Sequence, residues 1–147
     1  MMLTTGQWDQ RYQRQAEWTE RIRAYLFSKF SIPRDSLILE VGCGTGAVLS
    51  TQRAPVGRKL FGLDIRPDLL GLAGSHCPNV PLTCADALWL PYPDSSFDLT
   101  FCHFFLLWVS DPARALTEMK RVTRHGGVVA ALAEPDYGAR IDYPDPL

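Results

Sequence analysis

Several features that would direct a protein to a membrane, a nucleic acid or an oxidising compartment are missing from this 147-residue sequence. No apolar run approaches the roughly 18 residues of a membrane span. Residues 1–7 do not combine a charged segment with the apolar core of a leader. These two absences predict a cytoplasmic protein. Lysine and arginine together number 15 against 16 acidic residues, a net charge of −1, and no dense basic run occurs. That balance argues against an extended nucleic-acid footprint and points to a small or neutral partner. Cys43, Cys77, Cys84 and Cys102 lack C-x-x-C spacing and read as reduced thiols rather than a zinc site or disulfide frame. His76, His103 and His125 are scattered and form no metal-ligand pattern.

The residues present have the pattern of an α/β domain. Residues 37–46, Leu-Ile-Leu-Glu-Val-Gly-Cys-Gly-Thr-Gly, form an apolar run of the kind buried on both faces of a parallel sheet, ending in a glycine-rich loop. Gly42, Gly44 and Gly46 permit tight turning and close backbone approach to a ligand. Further strands are predicted near 59–64, 80–85, 97–102 and 127–133, with helices between most of them. Tyr12, Ala16, Ile22, Leu26 and Phe30 recur at helical spacing, so an amphipathic helix precedes the first strand and stops before Pro33. Asp111-Pro112 starts the last helix, and Gly126-Gly127 is expected to end it. The expectation is a Rossmann-like, doubly wound parallel sheet of about five strands. Residues 1–36 would be an N-terminal helical cap and 37–147 the binding domain.

Gly42, Asp64 and Asp86 each fall where a strand gives way to a loop, at equal spacing along the chain. In an open α/β sheet such loops converge on one crevice at the carboxyl ends of the strands. Asp64, about 20 residues past the glycines, is placed to accept hydrogen bonds from ribose hydroxyls. Ile65 offers an apolar surface for a base, and Asp86-Ala87-Leu88 adds an acceptor, a backbone N–H and an apolar side chain that together suit an adenine edge.

With these residues in view, the chain resembles the class I S-adenosylmethionine-dependent methyltransferases. The resemblance rests on Glu40-Val41-Gly42-Cys43-Gly44-Thr45-Gly46, on Asp64, on Ala85-Asp86-Ala87, on Leu90 through Asp98, and on Arg121 through Gly127. It spans about residues 37–134 and implies S-adenosyl-L-methionine as cofactor. The Gly42–Gly46 backbone, Cys43 included, would hug the methionine portion, and Glu40 would act on its ammonium. Asp64 would hold the ribose. Asp86, Ala87, Ile65 and Leu88 would read and sandwich the adenine. His103 falls where the family often places a residue beside the methionine or the sulfonium. No catalytic base is assigned, because alignment alone can supply much of the acceleration for a sulfonium methyl. His103, Asp136 and Tyr137 are the candidates should the acceptor need deprotonation. Trp89, Trp108, Phe104 and Phe105 could line an apolar pocket for a small-molecule acceptor, and Tyr12, Gln15 and Trp18 could cover the cofactor.

The family's sheet has seven strands, whereas this chain stops at Leu147, soon after the fifth. The last two strands are therefore expected to be missing, either because the chain is a piece of a longer enzyme or because a homodimer covers the fifth-strand edge. Two other functions fit part of the pattern. One is a non-catalytic S-adenosylmethionine-binding module. The other is an NAD(P)-dependent oxidoreductase, since Gly42-x-Gly44-x-x-Ala47 meets a relaxed dinucleotide fingerprint but leaves Glu40 and Asp86 without a role.

Overall fold

The computed structural model describes residues 3–30, 32–51 and 58–134. Thr4 opens the first helix, α1 (Thr5–Lys29), with a capping box. The Gln7 N–H donates to the Thr4 hydroxyl at 3.3 Å and the Thr4 N–H donates to Gln7 Oε1 at 2.9 Å. The helix begins a few residues earlier than the apolar spacing alone predicts, because this cap satisfies its first free amides. Its buried face also differs from the expected one. Ile22 is 51% exposed while Arg23 is 2% exposed. Positions 12, 16, 19, 23, 26 and 30 follow alternate steps of four and three along one side, and position 22 lies off that stripe.

Five strands follow, β1 (Leu37–Val41), β2 (Lys59–Asp64), β3 (Leu82–Cys84), β4 (Phe97–His103) and β5 (Thr123–Leu132), with helices α2 (Ala47–Thr51), α3 (Pro67–His76) and α4 (Pro112–Val122) between them. The sheet is parallel throughout, in the order β3-β2-β1-β4-β5. Strand order reverses between β1 and β4, which opens a crevice beyond their carboxyl ends. One face carries a core of Ala16, Ile38, Val48, Leu99 and Phe101 beneath α1 and α2, and the other packs Leu39, Val41, Leu63, Met119 and Val122 beneath α4. Both core faces are needed because a parallel strand has no solvated side. Among the described residues β3 and β5 are the sheet's edges, and no helix is long and apolar enough to cross a membrane.

The last helix does not run to Gly126-Gly127. It ends at Val122, and Thr123 turns extended at φ −85° and ψ 132°. The Thr123 hydroxyl donates to the Met119 carbonyl at 2.7 Å and lies 2.7 Å from the Thr100 hydroxyl, so a last-turn acceptor is satisfied by the residue that starts β5. The glycines instead lie within β5, beside the register shift between Phe97 and Leu99.

The Leu90–Asp98 segment is held by two charged residues of α4. Glu118 lies on the buried stripe of that helix and accepts from the Leu90 N–H at 2.9 Å. Arg121 grips the Glu118 carboxylate through Nε at 2.9 Å and Nη2 at 2.8 Å, and also donates to the Leu90 and Tyr92 carbonyls at 2.9 Å each. Hydrogen bonds to a charged group are each worth about 1.5–3 kcal/mol. Because Arg121 is partly exposed, water would replace some of them. Arg121→Ala is expected to destabilise the fold by on the order of 2 kcal/mol in urea denaturation. A change within error would remove this clamp as a source of stability.

Candidate functional site

A cavity of about 510 Å³ opens at the carboxyl ends of the strands. Its floor is the loop after β1. Gly42 has φ +74° and Gly44 φ +53°, values that favour glycine. A side chain on Gly42 would collide with the Phe105 ring, and one on Gly44 would lie 3.0 Å from the Tyr12 ring. The backbone of this loop therefore sits directly beneath two aromatic residues, Phe105 and Tyr12.

Asp64, at the end of β2, shapes the loop. Its Oδ2 accepts from the Gly44 N–H at 2.8 Å and its Oδ1 from the Arg66 N–H at 2.9 Å. Each oxygen keeps a second lone pair for a ligand. Asp86, after β3, accepts the Leu88 N–H on Oδ1 at 2.9 Å, which folds the turn and presents Ala85, Asp86 and Ala87 to the cavity. Ile65 lines the same wall and is exposed.

Glu40 is the most unusual group in the site. It is 2% exposed, lines the cavity, and its Oε2 has no hydrogen-bond partner among the described residues. Burial drives its carboxyl well above the ordinary value of 4.5. Arg23 opposes that shift and Asp64 reinforces it. A buried carboxyl oxygen left unpaired at a cavity wall is costly unless a ligand completes it. Cys43 also lines the cavity, and burial pushes its thiol well up, which disfavours the thiolate.

Most of the residues expected to bind cofactor thus line one cavity: Glu40, Gly42, Cys43, Gly44, Asp64, Ile65, Asp86, Ala87 and His103. Gly46 and Leu88 do not line it. Gly46 packs against α3, where a side chain would lie 3.1 Å from the Cys77 sulfur. Leu88 instead offers its carbonyl to Arg114 Nε at 3.1 Å and its N–H to Asp86.

The remaining candidates divide similarly. Tyr12 and Gln15 reach the cavity from α1, but Trp18 is 76% exposed and turned away from it, because position 18 falls opposite the buried stripe. Phe104, Phe105 and Trp108 line the wall after β4, whereas Trp89 lies outside it beneath the Arg114 guanidinium, 4.2 Å from the ring centre. Trp8, which the sequence did not single out, stacks on Tyr12 at 5.4 Å and meets Trp108 edge-on at 5.8 Å, joining α1 to the opposite wall. Asp136 and Tyr137 lie outside the described residues.

Three further residues carry weaker signals in the sequence. Glu134, two residues past β5, accepts from the Phe105 N–H at 2.8 Å and the Leu106 N–H at 3.0 Å, and so fixes the loop that carries the aromatic wall. Its signal is an acid at or just beyond a strand's end, as with Asp64 and Asp86. Thr19 and Arg23 lie buried on α1, and the Thr19 hydroxyl is 2.8 Å from His103 Nε2. Their signal is a polar residue in phase with an apolar stripe.

The fold is Rossmann-like, with the cavity at the carboxyl ends of its parallel strands. A family profile described as "Methyltransferase domain" matches residues 39–131, and the chain belongs to the class I S-adenosylmethionine-dependent methyltransferase family. It is 37% identical over 103 residues to a demethylmenaquinone methyltransferase of Renibacterium salmoninarum, covering 69% of this chain and 43% of that protein. It is 35% identical over 92 residues to a malonyl-[acyl-carrier protein] O-methyltransferase of Serratia marcescens, covering 63% of this chain and 36% of the other. Among solved structures, the [4+2]-cyclase SpnF superposes with a TM-score of 0.68 at 29% identity, covering 76% of this chain and 43% of the cyclase. The chain spans less than half the length of these relatives.

Proposed function

We propose that this chain binds S-adenosylmethionine in the cavity after β1 and β2 and belongs to an enzyme that transfers its methyl group to a small-molecule acceptor. The observation that carries this reading is Glu40, a buried carboxyl with an orphaned oxygen at the wall of a cavity floored by bare glycine backbone. A cationic ammonium beside a nucleoside is the ligand chemistry that completes it. The carboxylates of Asp64 and Asp86 on the same cavity supply the acceptors such a nucleoside needs.

When bound, S-adenosylmethionine supplies a methyl group already activated on a sulfonium. The chain's own residues would bind and orient. Glu40 would neutralise the ammonium, and the spare lone pairs of Asp64 would take the ribose hydroxyls. Asp86 would accept from the adenine amino group, with Ile65 against the ring and the Ala87 N–H on its edge. Phe104, Phe105, Trp8 and Trp108 would exclude water around the acceptor, so that in-line positioning supplies much of the rate. The helical segment before residue 37 would serve as the cap over this site.

The likeness to a cyclase supports a second reading, in which the site binds the cofactor without transferring its methyl group, since one fold hosts several chemistries. Calorimetric titration of the protein with S-adenosylmethionine, S-adenosylhomocysteine and NADH tests the binding. Both sulfur nucleosides are expected to bind and NADH is not. Binding of NADH alone would overturn the proposal. Binding of both nucleosides with no transfer from a labelled methyl group across a broad acceptor panel would favour the second reading.

A further inference from the structure

The buried polar chain running from α1 to His103 is not used by cofactor binding as described above. His103 closes β4 and lines the cavity. Its Nε2 lies 2.8 Å from the Thr19 hydroxyl. That hydroxyl is also 2.9 Å from the Gln15 carbonyl and 3.3 Å from the Ala16 carbonyl, and it receives an Nη1–H of Arg23. Arg23 Nη1 meets the Ala16 carbonyl as well, at 2.6 Å.

Counting donors gives the bond to the histidine a direction once the Thr19 proton is placed. A hydroxyl has one proton and two lone pairs. Arg23 can only donate, and it occupies one lone pair. Donated to the Gln15 carbonyl at 2.9 Å, the i−4 back-bond that a helical threonine can make, the Thr19 proton is not directed at the histidine. One lone pair then remains for His103, and it is filled when Nε2 carries the hydrogen. Nδ1 is then bare. It has no hydrogen-bond partner among the described residues, and the ring that carries it lines the cavity.

We infer that Thr19 and Arg23 are positioning residues that hold His103 as its Nε2–H tautomer, presenting Nδ1 as a hydrogen-bond acceptor for the O–H or N–H of a protic methyl acceptor. This assignment of acceptor class rests on the proposed methyl transfer, whereas the tautomer does not. Burial, with the Arg23 charge adding to it, lowers His103 to about 4, so the ring is neutral near pH 7 and able to accept. A hydrogen bond at Nδ1 would fix which atom of the acceptor faces the methyl group and would disfavour acceptors with no proton to offer.

The test is a long-range proton–nitrogen correlation spectrum of the protein labelled with 15N-histidine, in which His103 is identified by the signals lost in His103→Gln. At pH 7 the native protein is expected to show a protonated Nε2 and an unprotonated Nδ1. Thr19→Ser should retain this state, and Thr19→Val, nearly isosteric but without the hydroxyl, should show both nitrogens averaged between tautomers. A protonated Nδ1 in the native protein overturns the inference, as does an unchanged tautomer in Thr19→Val. Should the valine variant fail to fold, the native and serine spectra decide alone. Phenol added to the protein with S-adenosylhomocysteine should shift Nδ1, while anisole, which lacks the O–H, should not. Equal shifts, or none with either, overturn the acceptor class. Failure of the native protein to bind S-adenosylhomocysteine would instead remove the proposed function and leave the tautomer standing.

Discussion

Glu40→Gln is expected to weaken S-adenosylhomocysteine binding by roughly 10- to 100-fold, the loss of one charge-assisted hydrogen bond of about 1.5–3 kcal/mol. The same change should leave the free protein no less stable above neutral pH. Both effects follow from burial. The folded state holds the Glu40 proton well above 4.5, so the stability associated with the protonated form is complete below that ordinary value and is lost as pH rises through the raised one. Glutamine fixes the neutral state at every pH. Stability of the native protein should therefore fall relative to Glu40→Gln as pH rises, measured as urea midpoints across a pH series. A ligand ammonium stabilises the charged carboxylate, so binding should release a proton from the native protein and none from the variant. Calorimetry in buffers of different ionisation enthalpy reads that proton. Equal affinity in the two proteins would dismiss Glu40 as the ammonium partner.

A second large effect is expected at Gly42. Alanine there must adopt φ +74° and meet the Phe105 ring, whose backbone N–H is tied to Glu134. The left-handed conformation costs about 1–2 kcal/mol and overpacking about 1–3 kcal/mol. Gly126 provides the control. It has φ +78° but nothing within 4 Å of where an added methyl group would sit, so Gly126→Ala should incur the backbone cost alone. Urea denaturation should separate the two by about 1–3 kcal/mol, and Gly42→Ala should also lose nucleoside binding. Equal losses would show that the ring above Gly42 yields freely.

Much of the framework is legible in the sequence because burial on both faces leaves little ambiguity. The apolar runs at Leu37–Val41 and Phe97–His103 are strands, and the acids that end β2 or follow β3 reach the same cavity. Local sequence misleads where a tertiary contact decides the outcome. Thr123 ends α4 before the glycines because its hydroxyl finds the Met119 carbonyl. Hydropathy turns Ile22 inward, yet helical phase buries Arg23. Arg23 and Thr19 are hard to see because a polar identity breaks an apolar count, although their positions keep its rhythm. Glu134 can be linked to the β4 loop only once the parallel pairing of β4 with β5 is known.

That rhythm gives α1 a mechanical character. Tyr12 over Gly44, Thr19 against His103 and Arg23 against Thr51 are contacts to three separate parts of the domain, made from one stripe of one rigid rod. Each residue step along an α-helix turns about 100°. The three contacts therefore share a single angular coordinate: a twist of α1 about its own axis that breaks one disengages the others, so loop, histidine and α2 answer together to the phase of one helix.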